Sequence, residues 1–411
     1  MPRLIDDDQA LKTPAMPRSK RVFLITDVPV EHTVHGSALL YRLFQDMPGI
    51  DLTIAEGSIQ VGLKPSARLS NAHYCAVYTG FRRPLATRFS KIFWSLYFLV
   101  PIPSLFQLLY TYLRFKPDVV ITVSHGVIWF AAYLLSRITK IPLVLICHDD
   151  IIQFNGSHRL FRGLVYRRFK QMYIHSLQVF PICDSMEEGY RKHFGKKGVP
   201  LYPTRSPSSV IKTSEEVMSR NKAFDYTIGF AGSIVTQEYA QMLSSLSIVL
   251  SRLGGNLFIY GPHTHESLSR MGLSNTNVVC KGLLEPNDLI KDMHSLLDAL
   301  YVPISFNNKT NSAEYAFPSK LADYTCTSLP IIIQAPLHSS SAKWASLHHS
   351  AIVVNSLNPN RLNDALVELS SIDVYQRYSL SAFEAGMNSF QHQSQAQTVF
   401  QVLQNAGSIL T

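Results

Sequence analysis

Apolar residues fall in short unbroken runs that alternate with stretches of helical period. "RVFLITDVP" (Arg21–Pro29), "DLTIAEG", "KPDVVITVSHG" (Lys116–Gly126), "IPLVLICHDD" and "LQVFPICDS" have the character of strands buried on both faces of a parallel sheet. Between them, "VHGSALLYRLFQDM", "VIWFAAYLLSRITK", "RGLVYRRFKQMYIHS" and "MEEGYRKHFG" predict helices, the last with Ser185 as N-cap and Gly195 as C-cap. The stretch Val199–Val217 is rich in Pro, Ser and Thr and is the best linker. Alternation then restarts. "DYTIGFAGSI", "GNLFIYGP", "TNVVCKGLL", "DALYVPIS", "LPIIIQAP" and "AIVVNS" read as strands; "YAQMLSSLSIVLSRLG", "PNDLIKDMHSLL" and "PSKLADYTCTS" read as helices. The expected fold is α/β, with two tandem Rossmann-like doubly wound domains facing a central cleft. The expected boundaries are a flexible arm at 1–19, domains at 20–205 and 206–385, and a C-terminal helix at 386–411 that can cross back to the first domain.

One run breaks the alternation. Ile92–Leu113 is uncharged over 22 residues, long enough to span a membrane, yet Pro101 and Pro103 interrupt it. Two short helices are expected there. A membrane-surface contact, a plain core role and a span all remain open from sequence, with basic residues on both flanks.

The chain has 411 residues, 46% hydrophobic and 16% charged, enough apolar material for two cores. Its formal charge of +9 is uneven. Residues 1–220 hold 28 Lys and Arg against 16 Asp and Glu, while residues 221–411 hold 10 against 13. A basic first half suits an anionic surface or ligand. No nucleic-acid motif accompanies it, and nucleic acid is not an expected partner. The five cysteines contain no Cys-x-x-Cys pair, which fits a reducing compartment, with Cys147 and Cys280 as buried thiols. The first 20 residues lack an apolar leader segment.

Ligands of doubly wound sheets bind at the carboxyl ends of strands. The residues at those ends are therefore the candidates: Asp27, Gly36 and Ser37, His125, His148 and Asp149 in the first half; Gly232 and Ser233, Gly261 and Ser305 in the second. Glycine turns that open helices present backbone N–H groups suited to phosphate, or are tight turns only. Phosphate-loop, dinucleotide and nucleophile-elbow motifs are absent. His148, Asp149 and Asp150 are a weak metal set, since adjacent side chains diverge, and no metal is expected. His148 and Asp149 are the candidate catalytic residues, with His148 able to donate to a ligand or serve as an acid/base, or to be a satisfied structural histidine. Lys320 and Asp323 lie three residues apart after a proline turn. They form either a surface ion pair or a cation for phosphate beside a carboxylate for hydroxyls.

The run "IGFAGSI … LFIYGP … NVVCKGLLEPNDLIKDMHSLLDALYVPISF … FPSKLADYTCTSLPIII" resembles the nucleotide-sugar half of the GT-B glycosyltransferases, in particular the retaining group-1 family. "ITDVP…VHGSALLYRLF", "DVVITVSHG" and "LVLICHDD" resemble that family's first half less closely. The resemblance implies transfer of a sugar from a nucleotide-sugar donor to a saccharide or lipid-linked acceptor. It further implies retention, no metal or other cofactor, and a cytoplasmic protein touching the inner membrane face through 82–116. Polysaccharide or glycolipid assembly is the implied pathway. Domain 20–205 would take the acceptor and domain 206–385 the donor. Asp323 would hold the ribose, His148 the donor sugar or its phosphate, and Gly36, Gly232 and Ser233 the diphosphate. The pattern's first Glu falls at Tyr315, with Glu314 one position away, and the usual Arg and Lys after the first donor strand are missing. Lys320 or Arg205 is left to supply that charge. A nucleotide-sugar epimerase and a non-catalytic binding module are the alternatives on the same fold.

Overall fold

The computed structural model describes residues 19–32, 35–45, 47–57, 65–151, 157–205, 223–307 and 313–406. Six parallel strands form the first sheet: β1 (Lys20–Thr26), β2 (Ile50–Gly57), β3 (Ala72–Val77), β4 (Val119–Val123), β5 (Leu143–Cys147) and β6 (Gln178–Pro181). Their order is β3-β2-β1-β4-β5-β6. The second sheet comprises β7 (Thr227–Ala231), β8 (Asn256–Tyr260), β9 (Val278–Gly282), β10 (Ala299–Pro303), β11 (Ile331–Gln334) and β12 (Ile352–Val354), in order β12-β11-β10-β7-β8-β9. The first sheet carries α1 (His35–Phe44), α2 (Arg82–Leu85), α3 (Ser90–Leu99), α4 (Ile102–Phe115), α5 (Trp129–Thr139), α6 (Arg162–His175) and α7 (Asp184–Phe194). The second is accompanied by α8 (Gln237–Arg252), α9 (His265–Arg270), α10 (Pro286–Leu296), α11 (Lys320–Tyr324), α12 (Ser340–His348), α13 (Pro359–Leu369) and α14 (Ile372–Ser389); α15 (His392–Asn405) ends the described chain.

The two Rossmann-like sheets expected from the alternation are present. "VVITV", "LVLIC", "TIGFA" and "ALYVP" are buried at every position, as sheets covered on both faces require. Strand order reverses between β1 and β4, and again between β7 and β10. The crevices above those reversals are where such sheets take ligands.

Three details differ from the sequence reading, and the two short helices expected at 92–113 are present. Strand β3 was not expected: its "AHYCAV" is an edge strand with mixed burial and lacks an apolar run. Helix α7 starts earlier than Ser185, with Cys183 as N-cap and Asp184 as its first residue, while Gly195 closes it at φ 73°. Cys280 is half-buried, its thiol donating to the His263 carbonyl at 3.2 Å, whereas Cys147 is fully buried and its thiol pKa is pushed up by desolvation. The run 92–113 is divided between α3 and α4, bent by 41° at the prolines. Among the described residues no single helix is long and apolar enough to cross a membrane. Each of these helices buries one side (Phe98 and Leu108) and exposes the other (Leu96, Ile102, Phe106, Tyr110 and Leu113).

The two sheets share packing. Tyr202 stacks edge-on against Phe317 at 4.9 Å and lies 5.9 Å from Phe390. Helix α15 places Ala396, Val399 and Leu403 in the first sheet's core beside Val22, Leu24 and Leu40. Lys20 Nζ donates to the Gln404 carbonyl at 3.3 Å.

Candidate functional site

On the second sheet, β7 runs into Gly232, whose φ of +132° favours glycine. Its N–H donates to the Tyr260 carbonyl at 2.8 Å. Gly261, at φ +150°, lies against it so closely that a Cβ would stand 2.5 Å from the Gly232 oxygen. Ser233 is exposed, and the Ile234 N–H donates to His263 Nε2 at 3.2 Å. Helix α11 is docked on this turn by Tyr324, whose hydroxyl accepts from the Ala231 N–H at 2.7 Å. One turn earlier on α11, Lys320 brings its ammonium to 3.2 Å from where a Gly232 Cβ would be. The ammonium sits 4.0 Å from the Phe230 ring centroid, a cation–π contact. It makes no hydrogen bond or ion pair among the described residues. Burial without a counter-charge pushes its pKa down to about 7.

The other second-half candidates are engaged. Ser305 Oγ donates to Glu238 in the first turn of α8, and the Phe306 N–H donates to the same carboxylate at 2.6 Å. Glu238 thus occupies the segment where the resemblance expects cations. Glu314 is half-buried beside Tyr315, which is buried, packs edge-on against Tyr190 at 6.0 Å and closes over Gly189. Tyr315 in the carboxylate position is therefore a packing residue between the sheets. Asp323 does not pair with Lys320. Its Oδ1 accepts from Arg42 Nη1 of α1 at 2.9 Å, and the same nitrogen donates to the Thr204 carbonyl at 2.8 Å. The side chains are 11% and 23% exposed, so this pair crosses between the sheets in a half-dry setting. Arg205 is buried away from the Gly232 turn. Its guanidinium donates to the Thr325 carbonyl at 3.1 Å and contacts Met387 Sδ at 3.0 Å, fastening α14 to the end of α11.

On the first sheet, β1 ends at Asp27, a fully buried carboxylate. Its Oδ2 accepts from the Val127 N–H at 2.5 Å and the Ile128 N–H at 2.8 Å, at the start of α5. Burial raises its pKa, partly opposed by those bonds. A Cβ on Gly57 would stand 1.8 Å from Oδ1, and one on Gly126 would stand 2.2 Å from Oδ2. The carboxylate thus has space only because Gly57 at the end of β2 and Gly126 in the turn after β4 carry no side chain.

His125 follows β4, and its Nδ1 lies 2.5 Å from Asp149 Oδ2. Burial acts to lower the His125 pKa, but the bond to Asp149 and its charge outweigh that and leave it raised. For Asp149, burial acts upward and the His125 bond and charge outweigh it, so its pKa falls. The bond thus favours the protonated imidazole beside the ionised carboxylate, and the pair stays accessible, at 37% and 54% exposure. The structure therefore partners Asp149 with His125. His148 lies against a crevice of about 10 Å³ lined by Leu39, Leu43 and Tyr202, room for one water. Desolvation pushes its pKa down to about 4, so it is neutral at physiological pH. Gly36 and Ser37 fall in the first turn of α1, and their side chains lie outside the described residues. Among the described residues no group of three or more His, Cys, Asp or Glu gathers to hold a metal.

Arg42 and Glu238 were missed by sequence reasoning. Each is an ordinary helix residue locally, and its partner lies 281 or 67 residues away. Asp27 was visible as a strand-end carboxylate, but not its glycine cradle.

No protein-family model and no curated protein matches this chain. Solved structures do. Sucrose-phosphate synthase from Thermosynechococcus elongatus aligns with a TM-score of 0.66 at 11% identity, over 95% of this chain and 100% of that one. HepE of Anabaena, solved with UDP and glucose, aligns at 0.62 and 11% identity over 93% and 99%. WaaG, a glycosyltransferase involved in lipopolysaccharide biosynthesis, aligns at 0.59 and 14% identity over 93% and 99%. With two doubly wound sheets facing each other and such likeness along nearly the whole length, the fold of this chain is that of the GT-B glycosyltransferases.

Proposed function

We propose that the protein is a metal-independent glycosyltransferase, moving a sugar from a nucleotide sugar to a saccharide or lipid-linked acceptor with retention. The observation that carries this reading is the Lys320 ammonium, unpaired among the described residues and held against the Gly232 turn. A cation without a counter-charge, beside backbone that can approach a ligand closely, suits the diphosphate of a donor. In transfer, the bond from the anomeric carbon to phosphate oxygen breaks and its electron pair goes to the diphosphate. The acceptor oxygen bonds to that carbon and its proton passes to the departing phosphate. Lys320 stabilises the charge that develops there. The His125–Asp149 pair, on the opposite lip, would hydrogen-bond sugar hydroxyls. Asp323 keeps Oδ2 for a ribose hydroxyl while Arg42 holds Oδ1.

A panel of nucleotide sugars tests this. At about 100 times its dissociation constant, the true donor adds about 2.7 kcal/mol and raises the thermal midpoint by roughly 3 °C. Slow donor hydrolysis accompanies it, and the released or transferred sugar keeps its anomeric configuration by NMR. A panel without any response refutes the assignment, and an inverted product refutes retention alone.

We also propose that the acceptor side rests on an anionic membrane. Ile102, Phe106, Tyr110 and Leu113 form one exposed apolar row on α4. Arg82, Arg83, Arg88, Lys91, Arg114 and Lys116 flank it, and no Asp or Glu occurs from Gly57 to Pro117. The protein is expected to sediment with vesicles containing phosphatidylglycerol at low salt, and Phe106→Ser with Leu113→Ser to remain in solution. Equal sedimentation of the two forms would remove α4 from the contact.

A further inference from the structure

Positive charge on the first sheet's helices extends well beyond α4. From Gly57 to Cys183 the chain carries 15 Lys and Arg against three Asp. Part of this excess lines a groove between α5 and α6. Two hollows meet there. One, of about 600 Å³, is lined by Tyr133, Arg137, Arg168, Gln171 and His175; the other, of about 540 Å³, shares Arg137 and His175 and adds Lys140. Both lie in the size range of small-ligand sites. No carboxylate lines either hollow. Among the described residues, Arg137, Lys140 and Arg168 make no ion pair.

Cations at helix C-termini often serve only to satisfy terminal carbonyls. Here that role at α6 is already filled, because Lys196 Nζ donates to the Ile174 carbonyl at 3.0 Å and to the Ser176 carbonyl. Arg168 is a full turn further from the end of α6, and it is oriented: its Nη1 donates to Gln171 at 3.2 Å and its guanidinium lies 5.4 Å from the Phe130 ring centroid. His175 reports the local field. Burial, then the charges of Arg137 and Lys196, lower its pKa, while Tyr133 meets its ring edge-on at 5.6 Å.

The groove lies at the N-terminal ends of β5 and β6, since it includes Leu143 and Leu177. Strand β5 spans five residues, so this is roughly 16 Å of strand away from the carboxyl ends where the donor would bind.

We infer that the α5–α6 groove is a second ligand site, specific for a phosphate group, with Arg137 and Arg168 as its principal donors. Two guanidinium forks that face an unfilled hollow match phosphate oxygens better than any neutral ligand. The phosphate belongs either to a soluble phosphomonoester or to a phospholipid headgroup.

The full chain, titrated with inorganic phosphate, with glycerol 3-phosphate and with phosphatidylglycerol vesicles, tests this, with the His175 imidazole resonance as the reporter. A bound phosphate offsets the field of Arg137 and Lys196, so the His175 pKa rises. Arg137→Gln with Arg168→Gln should weaken the effect about tenfold or more. The same double variant should leave the response to nucleotide sugars unchanged, because that response arises at the other end of the strands. A shift with the soluble phosphates identifies a metabolite site. A shift with vesicles alone identifies a headgroup site. If no probe moves His175, or if the folded double variant responds like the parent, the groove is not a phosphate site. That outcome is independent of the nucleotide-sugar panel.

Discussion

Lys320→Met is expected to lower kcat/KM for the donor roughly 100- to 1000-fold, the scale of removing one preorganised charge donor from a transition state. The methionine stem still covers the Phe230 ring, so the fold is kept. Stability should in fact rise slightly at neutral pH, because an ammonium without an ion pair among the described residues is removed from a half-buried place. The pH dependence has a definite sign. In the folded chain Lys320 loses its proton near pH 7, against the usual 10.5. Between those values the unfolded chain binds one more proton than the folded one, so Lys320 makes stability climb with pH across that window. The climb is absent from Lys320→Met. Donor binding works in the opposite direction: a diphosphate at the ammonium restores its proton, so binding at pH 8 takes up a proton from the buffer. Calorimetry in two buffers of different ionisation enthalpy measures this directly. A binding enthalpy independent of the buffer would place the phosphates elsewhere.

Arg42→Ala should destabilise the folded chain by about 3 kcal/mol, and Asp323→Leu by a similar amount, each leaving one half-buried charge without its partner. The double variant Arg42→Ala with Asp323→Leu should cost less than the sum of the two single changes, because neither charge then remains uncompensated. Denaturant midpoints of the three variants decide it. If the double cost equals the sum of the singles, the 2.9 Å contact contributes no coupling. Asp323→Leu should in addition abolish donor binding; Arg42→Ala should weaken it while leaving the ribose carboxylate in place. That difference separates Asp323 as a ligand from Asp323 as a tie between sheets.

Most of the fold was legible because its determinants are local. A run such as "LVLIC" can be buried only in a sheet covered on both faces, and its alternation with helical periods restricts the topology to doubly wound. Edge strand β3 escaped because its partner on one side is solvent, which leaves its residues half-exposed and without an apolar run. The candidate positions were legible at the level of strand ends: Asp27, His125, Asp149 and Gly232 all fall near the carboxyl ends of strands, where doubly wound sheets bind ligands. The pairing of Asp149 with His125 was not, because the two lie 24 residues apart in sequence and meet only where the parallel neighbours β4 and β5 end side by side. In the same way, the spacing of Lys320 and Asp323 left a surface ion pair and a shared ligand site both open, and the structure shows the ring of Phe230 drawing one and Arg42 the other. Contacts that cross from one sheet to the other leave no trace in local pattern.

Helix α15 sets an order of events during synthesis. The first sheet's core includes Ala396, Val399 and Leu403, which follow the whole of the second sheet in the chain. At about 5–20 residues per second, a ribosome that has finished β6 needs on the order of 10–40 s to deliver that helix. Over that interval Val22, Leu24 and Leu40 lack part of their cover, and the nascent first half is a natural client for chaperones that bind apolar surface. The second sheet, continuous in sequence, can close while the first is still waiting.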